Sequence, residues 1–156
     1  MNQAIHAFLR QHEIAYRTVE HEPTLTSADS ARARGEELKV GGKALVVKTG
    51  DEFRLFVLSA ACALDSAALK RHLGVKKTRF ADAAELDRLT GLVPGSVPPF
   101  GRPILPLDVF VDPSVLANEQ IAFNAGLLTE SIIMSVRDYM RVAQPTVLAF
   151  GKAPGE

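Results

Sequence analysis

Three short segments hold the residue types from which a binding or catalytic site could be built. The first is Gly41-Gly42-Lys43-Ala44-Leu45-Val46-Val47-Lys48, in which Lys43 opens an apolar run directly after two glycines. A lysine packs poorly there. Either its ammonium projects into a cleft as a mobile point charge for a phosphate or substrate oxygen, or it is a solvated side chain at a strand start. The second segment runs from Thr90 to Gly101 and packs Pro94, Gly95, Ser96, Val97, Pro98 and Pro99 together before Phe100. Proline lacks the N–H and fixes φ, while glycine relaxes the backbone, so this stretch forms neither a helix nor a central strand. Such a stiff loop with free amides can cradle a carbonyl, a phosphate or a developing oxyanion, or it can simply be a rigid surface turn. The third is Phe123-Asn124-Ala125-Gly126. There Asn124 could aim its amide at a ligand over small residues that allow close backbone approach, or serve as a turn between two strands.

Other familiar chemistries are missing. Cys62 is alone and His6, His12, His21 and His72 are scattered, so no zinc-site spacing exists and no metal or cofactor is expected. Gly41-Gly42-Lys43-Ala44 lacks the first glycine and the final hydroxyl of a P-loop, and Gly95-Ser96-Val97-Pro98 lacks the second glycine of a nucleophile elbow. A dinucleotide-binding GxGxxG is absent too. Asp108 and Asp112, four apart in a strand-like run, suit surface solvation or a turn cap at Asp112-Pro113.

The positioning elements follow from periodicity and punctuation. Residues 2 to 13 read as an amphipathic helix through Ile5, Phe8 and Leu9. Ile14 to Glu20 alternate as a strand that His21-Glu22-Pro23 ends, and Thr26 or Ser27 caps a helix through Arg34 before Gly35. Ala44–Lys48 and Phe53–Ser59 flank a hairpin turn. Asp65-Ser66 starts a helix that Gly74 stops, Thr78–Ala81 reads as a short strand, and Asp82 caps a helix to about Leu89. Beyond the Gly/Pro loop come strands over Ile104–Val111, Gln120–Asn124 and Ser131–Val136, then a helix over Arg137–Val142. Short strands interleaved irregularly with helices predict an α+β fold, a single domain over residues 1–150 with a mixed twisted sheet or a partly open barrel. Residues 151–156 read as a frayed tail.

At 156 residues with 47% hydrophobic and 23% charged content, the chain suits one globular domain. No apolar run approaches the roughly 20 residues of a membrane span. The N-terminus lacks a basic segment leading into an apolar core, and a lone cysteine suits a reducing compartment, so a cytoplasmic location is expected. Net charge is zero, yet residues 32–79 hold 11 of the 18 Lys and Arg against five acids. A phosphate-binding face on a neutral protein, or ordinary solvated cations, would both produce that asymmetry.

In order and spacing, these segments resemble the YbaK family, the editing domain inserted in or related to bacterial prolyl-tRNA synthetase. The resemblance covers nearly the whole chain. It comprises the N-terminal helix, His21-Glu22-Pro23-Thr24, Gly42-Lys43-Ala44-Leu45, Thr90-Gly91, Gly95-Ser96-Val97-Pro98-Pro99-Phe100-Gly101 and Phe123-Asn124-Ala125-Gly126. With no synthetase body, and with Asp138-Tyr139 and Ala143-Gln144-Pro145 following, the chain is similar to the free-standing, YeaK-like trans-editing members.

The resemblance implies a deacylase that hydrolyses the ester between a wrong amino acid and the 3′-terminal adenosine of tRNA. Lys43 would be the essential lysine that anchors the adenosine or its phosphate. Gly95, Ser96 and Val97 would hold the ester and the attacking water through backbone groups, with help from the neighbouring ribose hydroxyl. Pro98, Pro99, Phe123, Asn124, Ala125, Gly126, His21 and Thr24 would line the substrate site. The residues Gln120-Ile121-Ala122-Phe123 depart from the family's His-Pro-Leu-rich segment, so no specificity is carried over from it. A small residue such as alanine, serine or threonine is the expected cargo, because rejecting one methylene by binding alone is worth only about 1–3 kcal/mol. Lys39, Lys70, Arg71, Lys76 and Lys77 are candidate contacts to the acceptor stem. A synthetase or an elongation factor would be a partner; a membrane would not. The competing expectations are a non-catalytic tRNA- or nucleotide-binding module of the same fold, and a structural, partner-binding protein.

Overall fold

The computed structural model describes residues 1–154. Helix α1 (Asn2–Gln11) buries Ile5, Phe8 and Leu9, the three apolar positions that its spacing places on one face. Strand β1 (Tyr16–Glu20) starts two residues later than expected, because the Ile14 N–H is used by the carbonyl of Leu9 to close the helix. Helix α2 (Ser27–Arg34) is capped by the Thr26 hydroxyl on the Asp29 N–H and stopped by Gly35 in the left-handed region. A 3-10 turn (Leu38–Val40) leads into the hairpin of β2 (Gly42–Thr49) and β3 (Glu52–Ser59).

The two-residue strand β4 (Ala63–Leu64) precedes α3 (Ser66–Leu73), capped by Asp65. Strand β5 (Thr78–Phe80) is followed by α4 (Ala83–Thr90), where Asp82 and Glu85 form a reciprocal capping box. After the Gly/Pro loop come β6 (Val109–Val111), α5 (Pro113–Leu116), β7 (Gln120–Asn124) and β8 (Glu130–Ser135). Helix α6 (Val136–Ala143), β9 (Thr146–Val147) and β10 (Gly151–Lys152) complete the chain.

The strands assemble into a three-stranded sheet, β1-β8-β7, a five-stranded sheet, β5-β2-β3-β6-β9, and a small β10-β4 pair. The five-stranded sheet is mixed: β5, β2 and β3 are antiparallel neighbours, while β6 runs parallel to both β3 and β9. A parallel bridge from Gly41 to Ala122 links the start of β2 to β7. The main core lies between the two larger sheets and takes in Ile5, Leu55, Val57, Phe100, Ile121, Phe123, Ile132 and Tyr139. The fold is therefore a single α+β domain without a closed barrel. Among the described residues no helix is long and apolar enough to cross a membrane.

Two expectations are corrected. The strand predicted over Ile104–Val111 exists only from Val109, because residues 102–107 turn instead. Pro103 and Pro106 have no N–H for a ladder, and the N–H groups of Ile104 and Leu105 both go to the carbonyl of Gly101. The tail predicted from residue 151 begins as a strand, in which Gly151 and Lys152 pair with Leu64 and Ala63. The carboxylate of Asp112 anchors that strand by accepting the Phe150 and Gly151 N–H groups at 2.8 and 2.7 Å. Residues 155 and 156 of the expected tail lie outside the described residues.

Candidate active site

Strand β2 opens against a tightly packed neighbour. A Cβ on Gly42 would come within 2.6 Å of the Ile121 side chain, so only glycine lets β2 begin this close to β7. That approach brings Lys43 to the wall of a cleft of about 230 Å³. The second wall is the Gly/Pro loop. Gly95 sits at φ +87°, where an L side chain would be strained, and turns the chain so that Gly95 and Val97 line the cleft. The third wall is α2 with the segment before it: Thr24, Leu25, Thr26, Ser27, Ser30 and Arg34.

The loop is held from three sides. The Ser96 N–H and hydroxyl both donate to the Val93 carbonyl, and the hydroxyl also accepts from the Val93 N–H, which closes a tight turn. The buried phenol of Tyr139 donates to the Pro99 carbonyl at 2.7 Å, and burial pushes that phenol far above its usual pKa. Phe100 packs edge-on against Phe8 and Phe123, anchoring the loop's end in the core. The N–H groups of Gly95 and Val97 keep no protein partner among the described residues.

The carbonyl of Gly95 accepts from the Asn124 amide at 2.8 Å. The orientation of that amide is dictated by its other end. Arg34 Nη2 donates to Asn124 Oδ1 at 3.1 Å and the Ser131 hydroxyl donates to the same oxygen at 3.1 Å, which leaves only Nδ2 for Gly95. Arg34 Nε donates to Ser131 Oγ at 2.8 Å, and the His21 ring meets the same oxygen at 2.8 Å from behind. Burial, partly offset by Glu36, lowers Arg34 to about 10, so it stays charged at neutral pH. Burial lowers Lys43 below its ordinary value as well, with a small opposing effect from Cys62.

Lys43, Gly95, Val97, Asn124 and Thr24 thus meet in one cleft. Ser96, Pro98, Pro99, Phe123 and Ala125 are buried beneath or beside it and do not line it. Gly126 packs against Met1 and Asn2, and His21 lines a separate hollow with Asn2 and Glu130. Lys39, Lys70, Arg71, Lys76 and Lys77 are all exposed. Lys77 accepts the Gly50 N–H at the end of β2 away from Lys43, about 20 Å along the strand at ~3.3 Å per residue. The sequence reading missed Arg34, Ser30, Ser131 and Tyr139. A signal for two of them existed: Ser27, Ser30 and Arg34 stand at i, i+3 and i+7, one polar face of α2 that turns toward the cleft.

Among the described residues fifteen line this cleft, and none is Asp or Glu. His and Cys are absent from those fifteen as well, so the described lining holds no carboxylate, imidazole or thiol to act as a general base at neutral pH. The arrangement offers two cations, free backbone amides and hydroxyls, which suits binding and polarising an anionic, carbonyl-bearing ligand.

The profile of the aminoacyl-tRNA editing domain matches residues 21–142. The chain is 37% identical over 155 residues to the multifunctional Ser/Thr-tRNA deacylase ProXp-y of Escherichia coli strain K12, covering 96% of this chain and 92% of that protein. Among solved structures, a candidate trans-editing enzyme for prolyl tRNA synthetase superposes with a TM-score of 0.83 at 24% identity, over 97% of both chains. A scaffold used for computational epitope grafting superposes with a TM-score of 0.84 at 23% identity, also over 97% of both chains. These structures speak to the fold; the profile and the bacterial relative place the chain in the aminoacyl-tRNA editing domain family.

Proposed function

We propose that the protein is an aminoacyl-tRNA deacylase acting in trans, with serine or threonine on a mismatched tRNA as its cargo. The observation that carries this reading is 37% identity over nearly the full length of a Ser/Thr-tRNA deacylase, matched to a cleft built from Lys43 and the Gly95 loop that has no acid among its described residues. Water adds to the ester carbonyl, the bond to the ribose oxygen breaks, and that oxygen leaves with a proton. Free amino acid and the tRNA 3′ hydroxyl result. An aminoacyl ester is already activated, so orientation and oxyanion stabilisation supply most of what is needed.

In this reading the ammonium of Lys43 holds the terminal nucleotide, and the N–H groups of Gly95 and Val97 face the ester oxygen. The neighbouring ribose hydroxyl assists the water, consistent with a cleft lining that contains no carboxylate, imidazole or thiol. Asn124 sets the loop, since its amide oxygen accepts from Arg34 and Ser131 while its amide nitrogen donates to the Gly95 carbonyl. Thr24 and Ser30 are hydrogen-bonded to each other at 2.7 Å in the cleft wall, and their pair keeps one hydroxyl proton to offer a hydroxylated side chain. The exposed cations Lys39, Lys70, Arg71, Lys76 and Lys77 would follow the acceptor stem. A cytoplasmic location follows from tRNA as substrate, with a synthetase or an elongation factor as the source of charged tRNA.

The test is a panel of tRNAs charged with alanine, serine, threonine or the cognate amino acid, incubated with purified protein. Release of serine or threonine well above the cognate rate is the expected result. Tight tRNA binding with no release of any amino acid would replace the reading with a non-catalytic module.

A further inference from the structure

Arg34 and Lys43 are the two cations of the cleft among the described residues, and neither has a counter-ion among them. None of the fifteen lining residues is acidic, and neither cation appears in an ion pair among the described residues. Glu36, the acid whose field Arg34 feels, is already paired with Arg17 at 2.7 Å. Uncompensated charge in a partly desolvated site is costly, and an anionic ligand removes that cost.

The geometry of Arg34 narrows the anion's place. Its Nε and Nη2 are fixed on neutral acceptors, Ser131 Oγ and Asn124 Oδ1. Its Nη1 has no protein partner among the described residues, and lies 3.4 Å from where a Cβ on Gly41 would stand, beside the cleft. A guanidinium held on two nitrogens with the third open is pre-organised to donate to a tetrahedral oxyanion. The chemistry of the substrate limits the choice. The amino acid's carboxylate is tied up in the ester, so the anion nearest the reacting carbonyl is the phosphodiester on the 5′ side of the terminal ribose.

We propose that Arg34 is a phosphate-binding residue of this site: Nη1 takes an oxygen of that phosphodiester alongside Lys43, while Nε and Nη2 hold Ser131 and Asn124. The inference rests on the deacylase reading. One guanidinium then touches both the phosphate and, through Asn124, the Gly95 loop. A phosphate in place therefore improves turnover as well as affinity.

Two minimal substrates test this, 3′-O-seryl-adenosine and the same ester carrying a 5′-phosphate. Wild-type protein should favour the phosphorylated ester by at least about tenfold in kcat/KM, with kcat sharing in the gain. Arg34→Gln should cut that ratio several-fold, leaving the share that Lys43 holds, and Arg34→Lys should restore part of the loss through KM alone, since an ammonium cannot hold Ser131 and Asn124 together. An unchanged ratio in Arg34→Gln overturns the proposal. A second measurement needs no variant: the Arg34 side-chain N–H resonances of wild-type protein should shift with adenosine 5′-monophosphate. They should shift little with adenosine or with inorganic phosphate at the same concentration. No shift with the nucleotide, or an equal shift with inorganic phosphate, contradicts the assignment. If Arg34 responds but no ester or charged tRNA is hydrolysed, the phosphate site stands and the deacylase reading falls. Hydrolysis with no phosphate preference and no Arg34 response does the reverse.

Discussion

The side-chain amide of Asn124 donates to the carbonyl of Gly95 at 2.8 Å, tying strand β7 to the Gly/Pro loop across 29 residues of chain. The same amide's oxygen accepts from Arg34 and Ser131, so loop, strand and helix α2 share one residue as their junction. Asn124→Ala cuts all three connections. Turnover should fall by about 10- to 100-fold, the cost of misplacing a reacting centre by roughly an ångström. KM should change less. Single-turnover deacylation alongside circular dichroism checks this, and a fully active variant would mean that the loop holds itself.

The Thr24–Ser30 hydroxyl pair gives a specificity prediction. Replacing the pair together, Thr24→Val with Ser30→Ala, removes both hydroxyls from the cleft wall and should lower the preference for seryl- over alanyl-tRNA by about tenfold, the value of one hydrogen bond to a neutral partner. The alanyl rate is the internal control. An unaltered serine-to-alanine ratio would move the hydroxyl-reading group elsewhere.

Much of the fold was legible because its boundaries are punctuated locally. Thr26, Asp65 and Asp82 cap helices that start where the sequence places them, and Gly35, Gly74 and Gly91 stop them. The region from Arg102 to Leu107 was not legible as a turn, since its apolar residues mimic a strand and only the tertiary use of the Gly101 carbonyl decides. Strands β9 and β10 are two residues each and depend on partners far away in sequence. In the site, Lys43 and the Gly95 loop stand out by type and neighbourhood. Ser131 and Tyr139 do not, because each acts only through a bond to a residue distant in sequence, Asn124 or Pro99.

The carboxylate of Asp112 supplies a pH prediction. Burial alone would raise it, but hydrogen bonds from Ser114, Phe150 and Gly151 outweigh burial and hold it below its ordinary 3.8. A carboxyl depressed in the folded state adds stability above its unfolded pKa, and that stability is lost as pH falls through the folded value. Wild-type protein should therefore lose stability below about pH 3.8. Asp112→Asn should be weaker by about 1–3 kcal/mol near neutrality, with a flatter acid limb in urea titrations. Equal acid sensitivity in the two proteins would assign that limb to other carboxyls.

Gly42→Ala tests how Lys43 is placed. The added methyl would meet Ile121, itself buried, so the strand or the core must shift. The expected cost is about 1–3 kcal/mol of stability, from overpacking. Deacylation should weaken in parallel because Lys43 follows the strand. Pairing the change with Ile121→Ala should recover part of both, and an active, fully stable single variant would contradict the packing account.

The most direct measurement is the rate of serine release from a mischarged tRNA by Lys43→Ala compared with wild type, under single-turnover conditions with the fold verified. The predicted result is rapid release by wild type and a loss of about 30- to 150-fold in the variant, since a lost charge contact to the substrate is worth roughly 2–3 kcal/mol. Near-normal release by Lys43→Ala would contradict the assignment of this cleft as the place where the ester is cleaved.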